Sequence, residues 1–247
     1  MNITNKTVLI TGGGSGIGFQ IAKLLSEKNN TIIITGRSEA RLKDAIAKLN
    51  NVSYLVADIT KEDDVNKLVG YINEHHPKLD VLINNAGQAF MYELADQPAF
   101  ENAGAEMLTN YLSPIRLIDK LLPVLKKQAE AAIVNVTSVL AIAPSHDVPT
   151  YSASKAALHS YTQALRLSLA DTGVTVFELY PPLVDTEFSA EIGGSNGIPP
   201  KQVADELLEG LESDTYDIRV GFTAQFWDMH LKSPDEAFAM LNARERN

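Results

Sequence analysis

Three residues of this 247-residue sequence have types and spacing that could move a proton: Ser138, Tyr151 and Lys155. Positions i and i+4 share one face of a helix, so Lys155 can stand beside Tyr151. A tyrosine phenol, with an ordinary pKa of about 10, is a poor acid near neutrality until a nearby positive charge stabilises its phenolate. Lys155 can supply that charge, and the Ser138 hydroxyl can hold a substrate oxygen while Tyr151 gives or takes the proton. Alone, Tyr-x-x-x-Lys also describes an ordinary solvated helix face. Ser138 lacks a G-x-S-x-G context, so a hydrolase nucleophile elbow is not supported. Asn110 is a fourth candidate. Pro114, four positions on, has no N–H, which leaves the Asn110 carbonyl without its regular helical partner and able to hold a water linked to Lys155. A merely kinked helix with Asn110 capping or solvated is the other reading.

A second constellation could hold phosphates. The run Thr11-Gly12-Gly13-Gly14-Ser15-Gly16-Ile17-Gly18 follows a β-type segment and opens an apolar-periodic helix. Glycines there let the backbone turn sharply and approach a pyrophosphate, whose charge a helix N-terminus stabilises. A tight strand-to-helix connection is the plain alternative. The second strand ends in Thr35-Gly36-Arg37-Ser38, with no carboxylate at the strand end to grip an adenosine ribose and with a guanidinium able to fork onto phosphate oxygens. That favours NADP(H) over NAD(H), unless Arg37 is simply a solvated residue at a helix start. Asp58, before Ile59, could accept from an adenine amino group or cap the next helix. The Asn85-Ala86-Gly87 turn could pass the adenosine, or its asparagine could tie loops together.

Those residues need elements to carry them. Strands are expected at 7–11, 31–35, 52–56, 81–84, 132–138, 174–179 and 218–220, and helices at 17–27, 39–49, 61–75, 107–128, 151–170 and 201–211. Most of the strands lack apolar/polar alternation, as strands buried on both faces do. Alternating strands and helices predict an α/β fold: a Rossmann-like, doubly wound parallel sheet with helices on both faces and ligands at the carboxyl ends of the strands. One domain over 1–247 is expected, with a glycine-rich substrate loop near 187–200 acting as a mobile lid.

Composition narrows the class. With 21 Lys+Arg against 31 Asp+Glu, the net charge of −10 repels a phosphate backbone, so nucleic acid is an unfavourable partner. Zero cysteines remove thiolate nucleophiles, disulfides and cysteine-based zinc sites. Scattered histidines suggest no metal. Met1 to Lys6 leads directly into Val8-Leu9-Ile10, and no apolar run approaches the ~18 residues of a bilayer span, so a cytoplasmic protein without a membrane partner is expected.

Taken together, Thr11 to Gly18, Asp58, Asn84-Asn85-Ala86-Gly87, Asn110, Ser138, Tyr151-Ser152-Ala153-Ser154-Lys155 and the Pro181–Thr186 segment resemble the short-chain dehydrogenase/reductase family. The resemblance implies seven strands in the order 3-2-1-4-5-6-7 and hydride exchange between a nicotinamide and a small carbonyl or alcohol. It implies Tyr151 as general acid/base, Lys155 as its pKa tuner and ribose ligand, Ser138 as substrate orienter and Asn110 as water holder. Val184 and Thr186 would meet the nicotinamide carboxamide, and a homodimer or homotetramer would form on the helices over 107–128 and 151–170. Pro182 stands where the family usually has glycine. The wording Tyr180 to Phe188 is similar to the DltE-type oxidoreductases of the family. A cofactor-sensing regulatory protein on the same fold is the alternative, although it would not need a proton donor beside the nicotinamide.

Overall fold

Aliphatic and β-branched runs form seven strands: β1 Thr7–Thr11, β2 Thr31–Gly36, β3 Val52–Val56, β4 Leu79–Asn84, β5 Ala131–Val136, β6 Val174–Tyr180 and β7 Asp217–Arg219. In the computed structural model, which describes residues 1–243, they make one parallel sheet in the order β3-β2-β1-β4-β5-β6-β7. Residues 244–247, included in the one-domain expectation, lie outside the described residues. The crossover helices are α1 Gly16–Ser26, α2 Glu39–Ile46, α3 Glu62–His75, α4 Phe100–Met107, α5 Ser113–Leu125, α6 Pro149–Ser168 and α7 Pro200–Glu212, followed by α8 Phe222–Lys232 and α9 Pro234–Leu241.

Successive strand residues feed opposite cores. Val8, Ile10, Ile32, Ile34, Val81 and Ile83 pack with Ile21 and Leu25 of α1 and with Val203 and Leu207 of α7. Leu9, Ile33, Leu82 and Ile133 pack with Val65, Leu68 and Ile72 of α3 and with Leu117 and Leu121 of α5. Both faces are apolar because both are covered, which is why the strands do not alternate. The Rossmann-like doubly wound sheet and its order are those expected, and every strand tip after β1, β2, β4 and β5 points to one edge, where the site lies.

Three elements differ from expectation. The helix expected over 107–128 starts instead with a π-turn at Leu108–Leu112, which joins the preceding α4 to α5, and α5 ends at Leu125. Pro114 cannot donate to Asn110, and the Ser113 N–H reaches back five residues to the Leu108 carbonyl, with the Ser113 hydroxyl donating to the same oxygen at 2.7 Å. The proline is thus accommodated by an inserted residue rather than by a simple kink. Strand β5 stops at Val136, so Ser138 lies two residues past its end and caps a 3₁₀ turn at Val139–Ala141, accepting from the Leu140 N–H at 3.1 Å. The helices α8 and α9 were not expected. Among the described residues, no helix is long and apolar enough to cross a membrane.

Candidate active site

A cavity of about 820 Å³ runs along the carboxyl edge of the sheet, from the tips of β2 and β3 to the tips of β5 and β6. That is ample for a cofactor together with a small substrate. Its floor is the glycine turn between β1 and α1. Gly12 and Gly16 have φ of +67° and +53°, a region that side chains rarely tolerate. A Cβ at Gly12 would also sit 3.0 Å from the Ala86 Cα. Ser15 makes no side-chain cap, α1 has no acid in its first turn, and Ser15, Gly16 and Ile17 face the cavity. An uncapped helix start behind bare glycine backbone presents N–H groups to an anion. These features fit a dinucleotide pyrophosphate.

Gly18 is not on the cavity wall. A Cβ there would meet the Gly12 carbonyl oxygen at 2.4 Å and Asn85 Nδ2 at 2.5 Å, so its role is to let α1 pack against the turn. The Asn85 side chain does the work of the plain alternative, donating to the carbonyls of Thr11 at 2.9 Å and Gly12 at 3.2 Å. The Thr11 hydroxyl in turn accepts the N–H groups of Asn85 and Ala86, each at 3.0 Å. Asn85, Ala86 and Gly87 line the cavity through a turn stapled to the glycine turn.

At the β2 and β3 end the walls are Arg37, Ser38 and Arg41, with Asp58 and Ile59 opposite. The acid that opens α2, Glu39, is turned away onto Lys43 at 3.0 Å and the Tyr54 hydroxyl at 3.2 Å. Asp58 accepts from the backbone and hydroxyl of Thr60 at 3.0 and 2.7 Å. Burial pushes the Asp58 carboxyl up, but those bonds and the charges of Arg37 and Lys61 outweigh it and hold the carboxyl below its usual range.

At the other end Ser138, Tyr151 and Lys155 share one wall. Pro149 opens α6, so Tyr151 is in its first turn and Lys155 one turn on, with Nζ 5.6 Å from the Tyr151 ring centre. Lys155 is 3% exposed and donates to the Val136 carbonyl at 2.7 Å. Burial pushes the Tyr151 phenol up to about 12, against the pull of the Ser138 hydroxyl and with the Glu106 charge adding to it. Burial brings Lys155 down to about 8, opposed by the charge of Glu178. Desolvation of both groups therefore outweighs the expected stabilisation of a phenolate by Lys155.

Asn110 lies behind this wall. Its side chain donates to the Gln88 carbonyl at 2.7 Å and to the Ser154 hydroxyl at 2.9 Å, and accepts the Gln88 N–H at 2.8 Å. The side chain thus ties the β4 loop to α6, neither capping nor solvated. A Cβ on Gly87 would stand 3.5 Å from Asn110 Oδ1 and 3.9 Å from Lys155 Nζ, which places the three together.

Val184 and Thr186 complete the wall after β6. Despite Pro182, the chain there is held extended: Val184 bridges Ile198, the Asp185 N–H donates to the Ile198 carbonyl at 2.8 Å, and the Ile198 N–H donates to the Leu183 carbonyl at 3.0 Å. Gly197 permits this, since a Cβ on it would meet the Leu183 backbone at 2.7 Å. The segment beyond forms two 3₁₀ turns, Glu187–Ile192 and Gly194–Asn196.

The model of the family described as short chain dehydrogenase matches residues 6–196, which contain every part of this cavity wall named so far except Gly197 and Ile198. The chain belongs to the short-chain dehydrogenase family. It is an oxidoreductase of a family that binds NAD or NADP. It is 37% identical over 252 residues to the uncharacterized oxidoreductase DltE of Bacillus subtilis, covering 99% of this chain and all of that one. It is 30% identical over 217 residues to an uncharacterized oxidoreductase of Staphylococcus epidermidis, covering 87% and 94%. A short chain dehydrogenase from Burkholderia cenocepacia, solved in complex with NADP, superposes with a TM-score of 0.87 at 28% identity over 99% of this chain and all of that one. One from Burkholderia phymatum, in complex with NAD, gives 0.87 at 20% identity over 100% and 99%, and shows the fold alone.

Within this dehydrogenase, sequence reasoning missed two buried carboxylates that act on the reacting end. Glu106, fully buried on α4, accepts the Phe90 N–H at 2.7 Å and the Thr150 hydroxyl, joining the β4 loop to the start of α6. Burial pushes its carboxyl up, against the bonds from Thr150 and Phe90. Its position four before Asn110, on the same helix face, was a legible signal. Glu178, fully buried in β6, lies 3.1 Å from His159 Nδ1, and a charged residue in Val-Thr-Val-Phe-Glu-Leu-Tyr was the cue there.

Proposed function

We propose that this oxidoreductase is an NADP(H)-preferring enzyme acting on a small carbonyl or secondary alcohol, with Tyr151 as its general acid/base. The observation that carries the reading is one cavity with two different ends. Arg37 and Arg41 stand at the β2 tip, where Glu39 is turned away from the cavity, and Ser138, Tyr151 and Lys155 stand on one wall past β5. In this reading Gly12, Gly14, Ser15, Gly16 and Ile17 hold the pyrophosphate, Gly18 and Asn85 support that turn, and Arg37 takes the 2′-phosphate. Asp58, Ile59, Ala86 and Gly87 border the adenosine, and Val184 and Thr186 border the nicotinamide.

When bound, a nicotinamide dinucleotide supplies or accepts the hydride. The chain's share is the proton. Tyr151, pushed up to about 12, is a neutral phenol at neutrality and so is poised to donate to a carbonyl oxygen that Ser138 holds. Lys155, brought down to about 8, exchanges its proton near neutral pH and can restore the one Tyr151 gives. Asn110 keeps the Gln88 carbonyl and α6 in place behind them.

The reading takes residues 1–247 as one NAD(P)-binding domain with its substrate loop near 187–200, in a cytoplasmic protein. It places two or four copies on α5 and α6, whose neighbourhood exposes Leu112 and Leu167. Parallel titrations with NADPH and NADH, read by the quenching of Trp227 fluorescence or by calorimetry, test the cofactor, and tighter NADPH binding is expected. Tyr151→Phe tests the chemistry with a carbonyl substrate found by screening. Turnover should fall 10²–10⁴-fold with NADPH binding intact. Equal affinities would overturn the cofactor preference, and residual turnover within about tenfold of wild type would overturn the role of Tyr151.

A further inference from the structure

One ion pair spans the mouth of the cavity over the glycine turn. Arg41, in the first turn of α2, meets the Glu187 carboxylate at 2.6 Å, and Glu187 begins the 3₁₀ turn after β6. The two segments flank the glycine turn. A Cβ on Gly14 would lie 3.5 Å from the Arg41 Cβ, and a Cβ on Gly16 would lie 3.3 Å from Thr186, the residue before Glu187. The placement of Arg41 is set locally, because its N–H donates to the Ser38 hydroxyl that caps α2. Among the described residues Arg37, by contrast, has no carboxylate within salt-bridge distance.

We propose that Glu187 is a specificity residue which occupies Arg41 and thereby lowers the affinity for the 2′-phosphorylated dinucleotide relative to the unphosphorylated one. The inference rests on the dinucleotide reading of the cavity. Arg41 lines the β2 end beside Arg37, where a 2′-phosphate would arrive with about two negative charges and three acceptor oxygens. To take that phosphate, Arg41 must leave Glu187, and the carboxylate left at the cavity mouth repels the phosphate. The unphosphorylated dinucleotide needs neither change. The pair is well suited to yield: its side chains are 54% and 70% exposed, and an exposed pair shifts an equilibrium by only roughly one-and-a-half- to fivefold.

The test is calorimetric titration of NADPH and NADH against the full chain and its Glu187→Gln, Arg41→Gln and double variants, at one ionic strength, with no substrate and no turnover. Glu187→Gln should tighten NADPH roughly two- to fivefold and leave NADH unchanged. In the Arg41→Gln background the same substitution should have a smaller effect, since the cycle isolates the pair. An equal change for both dinucleotides, no change for NADPH, or a full gain without Arg41 would overturn the inference while leaving the cofactor reading in place. Failure of the unsubstituted chain to bind either dinucleotide would overturn both. Circular dichroism of each variant checks that these surface substitutions leave the fold intact.

Discussion

Lys155 shows how a reactive residue carries a cost in stability. An ammonium that is 3% exposed, with a carbonyl as its hydrogen-bond partner, is poorly solvated, and its pKa falls from 10.5 to about 8. Because the folded value lies below the unfolded one, the unfolded chain holds the proton more tightly. The penalty is therefore complete below pH 8, shrinks as pH rises from 8 to 10.5, and is gone above that. Its size is about 3 kcal/mol, from 1.36 kcal/mol for each pKa unit. The variant Lys155→Met carries no such penalty, so its stability relative to wild type should move in favour of wild type by up to about 3 kcal/mol between pH 8 and 10.5. Urea unfolding of both proteins at the two pH values measures it, and a constant difference would mean that Lys155 titrates normally. Glu178 acts on the same group. Its charge raises Lys155, so Glu178→Gln should move the titration of Lys155 further down, read by NMR of Nζ-labelled lysine or by the pH profile of reduction.

At the scale of elements, the site depends on how α6 is held to the sheet. Across β4, β5 and β6 the register sets Asn84 beside Asn135 and Asn135 beside Glu178, a polar row within an otherwise apolar surface. Asn84 donates to Asn135 at 2.9 Å, Asn135 donates to the Thr162 hydroxyl at 2.9 Å, and His159 meets Glu178, so α6 is bonded directly to β5 and β6 and, through Asn135, to β4. Asn135→Ala strips a partner from two buried groups at once. It should destabilise by about 1–3 kcal/mol, the cost of one orphaned buried group, because Asn84 loses its partner while the Thr162 hydroxyl still donates to the Leu158 carbonyl, measured as a fall in denaturation midpoint. Gly18→Ala should be worse than its size suggests, because the new methyl meets backbone at 2.4 Å, and both stability and dinucleotide affinity should fall. Much of this frame was legible beforehand. The seven strands and the six helices from α1 to α7, other than α4, follow from apolar runs and helical periodicity, and the glycine turn and Tyr151/Lys155 from spacing. The π-turn was hidden because Pro114 signals a missing bond without saying which register replaces it. Helix α8 was hidden because only Thr223 and Phe226 of its eleven residues are buried, too few to draw a periodic stripe. The tie between Asn110 and Gln88, and the Arg41–Glu187 pair, link segments 22 and 146 residues apart, so no local pattern announces them.

For the molecule as a whole, one sheet edge concentrates the binding work. A net charge of −10 opposes the approach of any anion, yet the cavity offers the α1 N-terminus, Arg37 and Arg41 along one line of strand tips. The attraction is local and the repulsion diffuse, and over distances beyond the ~8 Å screening length at physiological salt the diffuse part is largely removed. Binding there also joins segments that come from both halves of the chain: the turn after β1, the tips of β2, β4 and β5, and the segment after β6. A ligand that contacts all of them binds only the folded chain, so it must stabilise the whole fold rather than one region. At a free concentration 100 times its dissociation constant, NADPH should add about 2.7 kcal/mol, which for a chain of this size is a rise in Tm of roughly 5–11 °C. NADH at the same absolute concentration should raise it less if Arg37 and Arg41 read the 2′-phosphate. Scanning calorimetry across a concentration series measures both. A Tm that does not move with NADPH would mean that this edge of the sheet binds something else.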